Sequence, residues 1–527
     1  MTTPAKHSLS IWGTNQIFAF SGLDGPTDFD RGLVAQSRAD GLQLRVPGPV
    51  LVSFGTVTRA RFGSDWAELQ TANGPVRFVF ADTHHLLIEG AASVRHQHDE
   101  RCSVASVSRG GATLLAPIGQ LNPAHLSLDI GSQIAARQGW ANVLPDTASD
   151  LGAKAIQQMK SMVYAPQGQL KHRFTTPDRW PHRESWLWDS AFHAIGYRHL
   201  DAALARDTLS AVFDAQLPNG QIGICFAPHS TRTHRSQPPI LAWAVNEVHK
   251  TAPDDAWVAK LRPHLRRYLQ WFETHRAMGP VFGWVEDDGA LGSVCDESGM
   301  DNSPRFAGGS VLQAVDLSVY MAQDYHAMAA LDPGGDWAAR AAALTEAIDR
   351  IFWDDALGFY CDVDPATRAP TGVQAVTGFL PLLLDQLPEG RAQALRDALN
   401  DPQRFGTSLP IPSVARNQPG YGKDMWRGPV WINMNWMIAR GFARHGAQDT
   451  AAMLRHKTLD AMTRQYRQTG SIFEYYDDDN KTAPPRLPRK GKNDPEIDPN
   501  RPTIHQVIHD YGWSATLALD WILRDAV

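Results

Sequence analysis

The chain has 527 residues, 43% of them hydrophobic and 20% charged, enough for more than one domain and for a large buried core. Its formal net charge of −6 leaves no basic excess to neutralise phosphates, so neither nucleic acid nor an anionic membrane is an expected partner. The four cysteines (Cys102, Cys225, Cys295, Cys361) are widely spaced, which excludes a thiolate zinc motif and a small disulfide scaffold; the first residues carry no apolar signal core, no apolar run reaches the roughly 18 residues of a membrane span, and a cytoplasmic location is expected.

Residues 1–145 read as β-rich. Leu42, Leu44 and Val46 alternate with Gln43 and Arg45, and Val50–Phe54 and Val76–Phe80 are strand-like. Asn73-Gly74 predicts a hairpin turn between Trp66–Thr71 and Val76–Phe80, because a tight primed turn needs positive φ. No long helical period occurs here, so the region is expected to be a smaller, sandwich-like β-domain. It also carries His84-His85 and His96-Gln97-His98. Without acids or thiols at supporting spacings these are expected to be solvated or hydrogen-bonded histidines, and no metal ligand set is assigned.

From residue 146 the pattern turns helical. Helices are expected near 151–163, 187–198, 200–215, 237–249, 255–275, 311–331, 335–353, 374–385, 389–400, 429–445, 449–467 and 511–525. In the 335–353 helix Asp336 can cap the start, and Trp337, Ala341, Leu344, Ile348 and Phe352 share one face. The 449–467 helix stops before Gly470. Pro263 is a possible break in the fifth helix. About twelve helices in sequential pairs predict a mainly α fold: an (α/α)6 barrel over residues 146–527 behind the β-domain. Long aromatic and acidic loops occur between the pairs. One, from Lys481 to Pro495, is rich in Lys, Arg and Pro, and reads either as a solvated surface loop or as a lid or basic rim for an anionic substrate.

Two loops concentrate acid. Asp296-Glu297-Ser298-Gly299-Met300-Asp301-Asn302-Ser303-Pro304-Arg305 favours turns over helix or strand. Ser471-Ile472-Phe473-Glu474-Tyr475-Tyr476-Asp477-Asp478-Asp479-Asn480 sets one Glu among aromatic residues, where partial desolvation is expected. Two carboxylates on separate loops suit glycoside hydrolysis, in which one protonates the leaving oxygen and the other activates water or attacks the anomeric carbon. Around them stand Trp188-Asp189-Ser190-Ala191-Phe192-His193, Gln216-Leu217-Pro218-Asn219-Gly220, Gln237-Pro238-Pro239 and Trp426-Arg427-Gly428-Pro429-Val430-Trp431. These pair aromatic faces with planar hydrogen-bonding groups, the mix a sugar needs. The seventeen Trp residues fit sugar platforms or large helix interfaces equally well.

In order along residues 150–527, this motif series resembles glycoside hydrolase family 63 and its relatives, the processing α-glucosidases and the mannosylglycerate and glucosylglycerate hydrolases. The resemblance implies an (α/α)6 catalytic domain and an inverting mechanism without a metal or other cofactor. It implies Asp301 as general acid and Glu474 as general base, with Trp188, Asp189, Gln216, Asn219, Gln237, Trp426, Arg427, Gly428 and Trp431 in substrate-binding motifs. Asp301 has a bland alternative as a turn-capping carboxylate, and Asp477 or Glu297 are alternative bases. Glu297, Asn302 and Arg305 are expected to shape the loop, and Asp296 to be a solvated neighbour. The expected function is an exo-acting α-glycosidase on a small glycoside or oligosaccharide, α-glucosidase before α-mannosidase. The alternatives are a hydrolase of a charged glycoside such as glucosylglycerate or mannosylglycerate, and a non-catalytic carbohydrate-binding protein. Sugar, linkage and any homo-oligomeric state stay open.

Overall fold

A computed structural model of the protein describes residues 8–96, 103–140, 149–285, 296–307, 311–491 and 506–524. The expected boundary at 145/146, Gln97, His98, Cys102, Cys295 and residues 492–495 of the basic loop lie outside the described residues. None of the described helices is long and apolar enough to cross a membrane.

The N-terminal region holds strands β1 (Ile17–Ala19), β2 (Val34–Arg38), β3 (Gly41–Val46), β4 (Val50–Ser53), β5 (Val57–Phe62) and β6 (Trp66–Thr71). β7 (Gly74–Phe80), β8 (Leu86–Glu89), β9 (Ser93–His96), β10 (Val104–Arg109) and β11 (Ala112–Pro117) complete it. They form two antiparallel sheets, ordered β1-β2-β3-β4-β9 and β10-β11-β8-β7-β6-β5. Leu42, Leu44, Val50 and Val52 of the first sheet share one core with Leu69, Val76, Phe78 and Ile88 of the second. That inward alternation is what the sequence pattern predicts. The β6–β7 hairpin forms, but its turn is Ala72-Asn73, with Thr71 paired to Gly74 at φ +110°, one position earlier than expected.

One short helix, α1 (Ile130–Arg137), interrupts the predicted all-β region. It is capped by Asp129 and covers Trp66, Val79 and Leu87 on the outer face of the larger sheet with Ile130 and Ile134. Only these two of its residues are buried, too few to print a helical period on the sequence.

The remaining helices are α2 (Asp150–Ser161), α3 (Leu187–Tyr197), α4 (Ala202–Asp214), α5 (Leu241–Thr251), α6 (Asp255–His275) and α7 (Val315–Leu331). They continue with α8 (Trp337–Phe352), α9 (Arg391–Asn400), α10 (Ile432–Arg444), α11 (Gln448–Thr469) and α12 (Gly512–Arg524). The expected 374–385 helix is a 3-10 segment, Val376–Leu383, containing Gly378 and Pro381, both poor α-helix formers. α5 starts four residues later than expected, because Pro238 and Pro239 hold the preceding chain extended. α6 runs through Pro263 without interruption.

α3, α5, α7, the 3-10 segment, α10 and α12 each pack on the next, and α12 returns to α3. α4, α8, α11 and α2 pack outside α3, α7, α10 and α12. Inner helices start where lining residues of the main cavity lie: Trp188 and Asp189 on α3, Trp431 just before α10, Tyr511 and Trp513 around the start of α12. Several of these starts are capped from other elements. Gln237 accepts the Trp188 N–H (3.2 Å), Asp324 of α7 accepts those of Ala242 and Trp243 on α5 (3.1 and 2.8 Å), and Asp362 accepts that of Val315 on α7 (3.0 Å). The β-region docks on the same part of the chain: Asp510 accepts the Ile17 N–H at 2.9 Å and pairs with buried Lys154 at 2.8 Å.

Gly196 sets the α3–α12 approach, since a Cβ there would lie 2.6 Å from Thr516 Cβ and 2.9 Å from its backbone. Gly196→Leu is expected to lower the unfolding free energy by about 1–3 kcal/mol or more in urea titration. Unchanged unfolding would show that the two helices are not held at this distance.

Candidate active site

A cavity of about 640 Å³ opens at the starts of the inner helices. Trp188, Trp431, Tyr511 and Trp513, with Phe29 and Trp186, form its aromatic surface. Trp513 meets Trp188 edge-on at 5.1 Å and Tyr511 at 4.9 Å, and Trp426 stacks behind Trp431 at 3.8 Å and 3°. Asp301, Glu474, Asp189 and Gln237 line the same cavity.

The Asp301 loop is clamped at both ends by buried arginines. Glu297 receives Nε and Nη2 of Arg276 at 2.7 and 2.9 Å, and the Ser236 N–H at 2.8 Å. Arg305 is fully buried and donates to Asp316 at 2.6 and 2.8 Å and to Asp362 at 2.7 and 2.8 Å. Between the clamps, Gly299 sits at φ +73° with the Trp188 indole 2.5 Å from where a Cβ would be, so only glycine fits. Asn302 accepts the Trp426 N–H at 2.9 Å, and its carbonyl takes Arg427 Nε at 2.9 Å. Glu297, Asn302 and Arg305 thus shape the loop as expected. Asp296 does not fit the expectation of a solvated neighbour. It lines the cavity, and its carboxyl is raised by burial and by the Asp301 charge, against the pull of Arg235 at 3.3 Å.

Glu474 is buried beside the short strand Tyr475–Tyr476, which pairs with Val430–Trp431. The desolvation expected beside Phe473 and Tyr475 is present, but the carboxylate also meets a cation. Arg489 donates to both carboxylate oxygens, at 3.0 and 3.2 Å. The next residue, Lys490, places its ammonium 2.9 Å from Asp301 Oδ2. Two consecutive residues of the basic loop therefore each hold one of the two acids picked from the sequence. Asp477 and Asp478 of the same acidic run are buried and hold the ammonium of Lys423 at 2.6 and 2.5 Å.

Asp189 is buried with Tyr511 OH 3.3 Å away. Burial drives its carboxyl well above the usual carboxylate range, the Tyr511 hydrogen bond opposes this, and the charges of Asp178 and Glu474 add to it. His193, one turn on, bonds Thr175 at 2.8 Å and is held neutral by burial, which lowers it to about 3.

Five expected contact residues do not line the cavity. Gln216 bonds the carbonyls of Gly220 and His264 (3.1 and 2.9 Å) in a turn, and Asn219 is exposed, accepting the Gln221 N–H. Arg427 spends its guanidinium on the loop carbonyl, Trp426 lies behind Trp431, and Gly428 is needed because a Cβ would meet the Gly422 carbonyl at 1.9 Å. These are motif residues that build the walls. Conversely, Phe29 of the β-region and Arg183, Arg232, His234, Arg489 and Lys490 line the cavity and were not singled out individually. The only sequence signal for the last two was the basic loop itself.

The family model for the mannosylglycerate hydrolase MGH1-like glycoside hydrolase domain matches residues 182–514, which span every cavity residue except Phe29, Pro177 and Pro181. The chain belongs to this family of glycoside hydrolases. It is similar to the mannosylglycerate hydrolase of Thermus thermophilus, 26% identical over 454 residues covering 67% of this chain and 98% of that protein. The mannosylglycerate hydrolase of Rubrobacter radiotolerans is 25% identical, covering 57% and 86% respectively. A crystal structure of a GH63 mannosylglycerate hydrolase from Thermus thermophilus in complex with glucose superposes with a TM-score of 0.56 at 25% identity, over 70% of this chain and 99% of that one.

Arg305→Leu in this glycoside hydrolase would leave Asp316 and Asp362 buried without their cation. It is expected to cost about 3–5 kcal/mol of stability by chemical denaturation. A loss below ~1 kcal/mol would show that the clamp does not hold the loop.

Proposed function

We propose that this protein is an exo-acting, inverting α-glycosidase whose helical region is an (α/α)6 barrel. Asp301 is the general acid and Glu474 the general base. The observation that carries the reading is that these two carboxylates, from loops far apart in sequence, line one aromatic cavity. The closed order of inner-helix contacts supports the barrel. With a glycosidic oxygen beside Asp301, that carboxyl donates its proton to the leaving group. Glu474 removes a proton from a water on the opposite face of the ring, and the product has inverted configuration. Trp188, Trp431 and Trp513 offer faces for a sugar ring, and Asp189 and Gln237 offer polar groups for hydroxyls.

The substrate we favour is a small α-glycoside with an anionic aglycone, of the mannosylglycerate kind named for the two bacterial relatives. Arg183, Arg232, His234 and Lys490 on the cavity wall support it, because a carboxylate there gains charge-assisted hydrogen bonds. Two other basic residues are committed elsewhere: Arg416 bonds the Pro402 carbonyl, and Lys423 is held by Asp477 and Asp478. A neutral α-glucoside is the second reading, favoured by the pairing of Arg232 with Glu184 at 3.0 Å, which leaves part of the wall already neutralised.

Asp301→Asn and Glu474→Gln are each expected to cut turnover by ~10²–10⁴-fold or more in a chain that still folds; Glu474→Gln leaves buried Arg489 without its carboxylate, so its Tm is expected to fall. Near-normal rates in either variant would remove that residue from its role. Proton NMR of fresh product is expected to show the inverted anomer first; a retained anomer overturns the mechanism. A panel of mannosylglycerate, glucosylglycerate and neutral α-disaccharides is expected to give its highest kcat/KM on a charged member. Turnover of neutral sugars alone would leave the second reading.

A further inference from the structure

None of Asp82, His85 and His125 lines the cavity: Asp82 and His85 lie in the turn between β7 and β8, and His125 in the 3-10 turn Pro123–Ser127. The Asp82 carboxylate is fixed by the backbone N–H groups of His84 and His85, at 2.7 and 3.0 Å. Facing it are His85 Nδ1, 2.9 Å from both oxygens, and His125 Nε2, 3.2 Å from Oδ2. The two imidazole rings are parallel and stacked, 3.9 Å apart at 10°.

Each ring is anchored on its far side to a backbone carbonyl. His85 Nε2 lies 2.8 Å from the Gln120 oxygen, and His125 Nδ1 lies 3.2 Å from the Asn122 oxygen. A carbonyl oxygen only accepts, so these far nitrogens carry the hydrogens. The Asn122 N–H also approaches His85 Nε2, at 3.3 Å, the longer of its two contacts. The neutral tautomers therefore turn both lone pairs toward an anionic carboxylate. Three electron-rich atoms facing one another need positive charge between them. Two added protons would stack two imidazolium cations face to face, whereas one divalent cation neutralises the set from a single centre.

We propose that Asp82, His85 and His125 form a binding site for a divalent transition-metal ion, with Zn²⁺ the best match. Two imidazoles and one carboxylate suit Zn²⁺, while Mg²⁺ and Ca²⁺ ask for more oxygen ligands. In a tetrahedral zinc site neighbouring ligand atoms stand about 3.3 Å apart, close to the 2.9 and 3.2 Å seen here. Histidines that donate their other N–H to backbone carbonyls, and a carboxylate held by backbone N–H groups, are the outer-shell bonds that orient metal ligands. The Asp82 side chain is 41% exposed, so an ion can enter and water can complete the shell. Asp477–Asp479, the other close-packed ligand set among the described residues, differs in already holding the Lys423 ammonium. The metal would tie the β7–β8 turn to the chain leaving β11 for α1, a structural staple that takes no part in glycoside chemistry.

The test is calorimetric titration of ZnCl₂ into tag-free, chelator-dialysed full-length protein, with thermal unfolding before and after loading. The expected result is about one Zn²⁺ per chain and a raised Tm. His125→Ala is expected to weaken binding at least ~10-fold, and Asp82→Asn, which keeps an acceptor for the two backbone N–H groups, does the same if the first variant misfolds. His84→Ala, next to the set but outside it, is expected to bind as the parent does. Absence of saturable binding, equal binding by parent and both ligand variants, or a Tm that responds to pH between 5 and 8 but not to Zn²⁺ would overturn the proposal. The group would then be a hydrogen-bonded ion pair.

Discussion

The geometry of the cavity depends on two buried guanidinium–carboxylate clamps. Arg276–Glu297 holds the start of the Asp301 loop and Arg305–Asp316–Asp362 holds its end. Charges taken out of water are tolerable only when fully paired, so each clamp admits one arrangement. Between them, the loop residues have no freedom to form helix or strand. Gly299 is pressed against Trp188, and Asp301 is carried to the cavity edge. The clamp at Asp362 also caps α7, so the position of the acid and the start of a core helix are fixed by the same carboxylate.

The second half of the site is built on a different principle. Glu474 is positioned by a two-residue strand pairing that joins its loop to the segment before α10. Its charge is balanced by Arg489, from a loop that follows it in sequence. Lys490 then reaches across to Asp301. The basic loop thus spans both acids, while Phe29 brings the β-region to the rim. The cavity belongs to neither region alone.

Much of this was legible in the sequence because local chemistry announced it. The loop of Asp296–Arg305 and the isolated Glu474 could be picked out by composition, and the family resemblance followed from motif order. Less legible was which motif residues line the cavity. Gln216, Asn219, Arg427 and Gly428 have the right chemistry but bond to backbone, because a sharp turn needs the same amides, guanidinium and glycine that a sugar would. The ion pairs of Glu474 and Asp301 were hidden, since nothing in a run of Lys, Arg and Pro says which cation meets which acid. His125 was equally hidden as the third member of the Asp82–His85 group, because a short 3-10 turn brings it back to the sheet.

The inner helices begin without caps of their own: α3, α5, α7 and α10 have no bond from the side chain of the preceding residue. Gln237 of the segment before α5 serves α3, Asp324 of α7 serves α5, and Asp362 of the segment before the 3-10 turn serves α7. Each of these three starts is completed by a piece of chain that comes later. A chain ending before Asp362 would therefore hold α7 with an open first turn, and one ending before Asp324 would leave α5 open as well, so these inner helices depend on chain made after them.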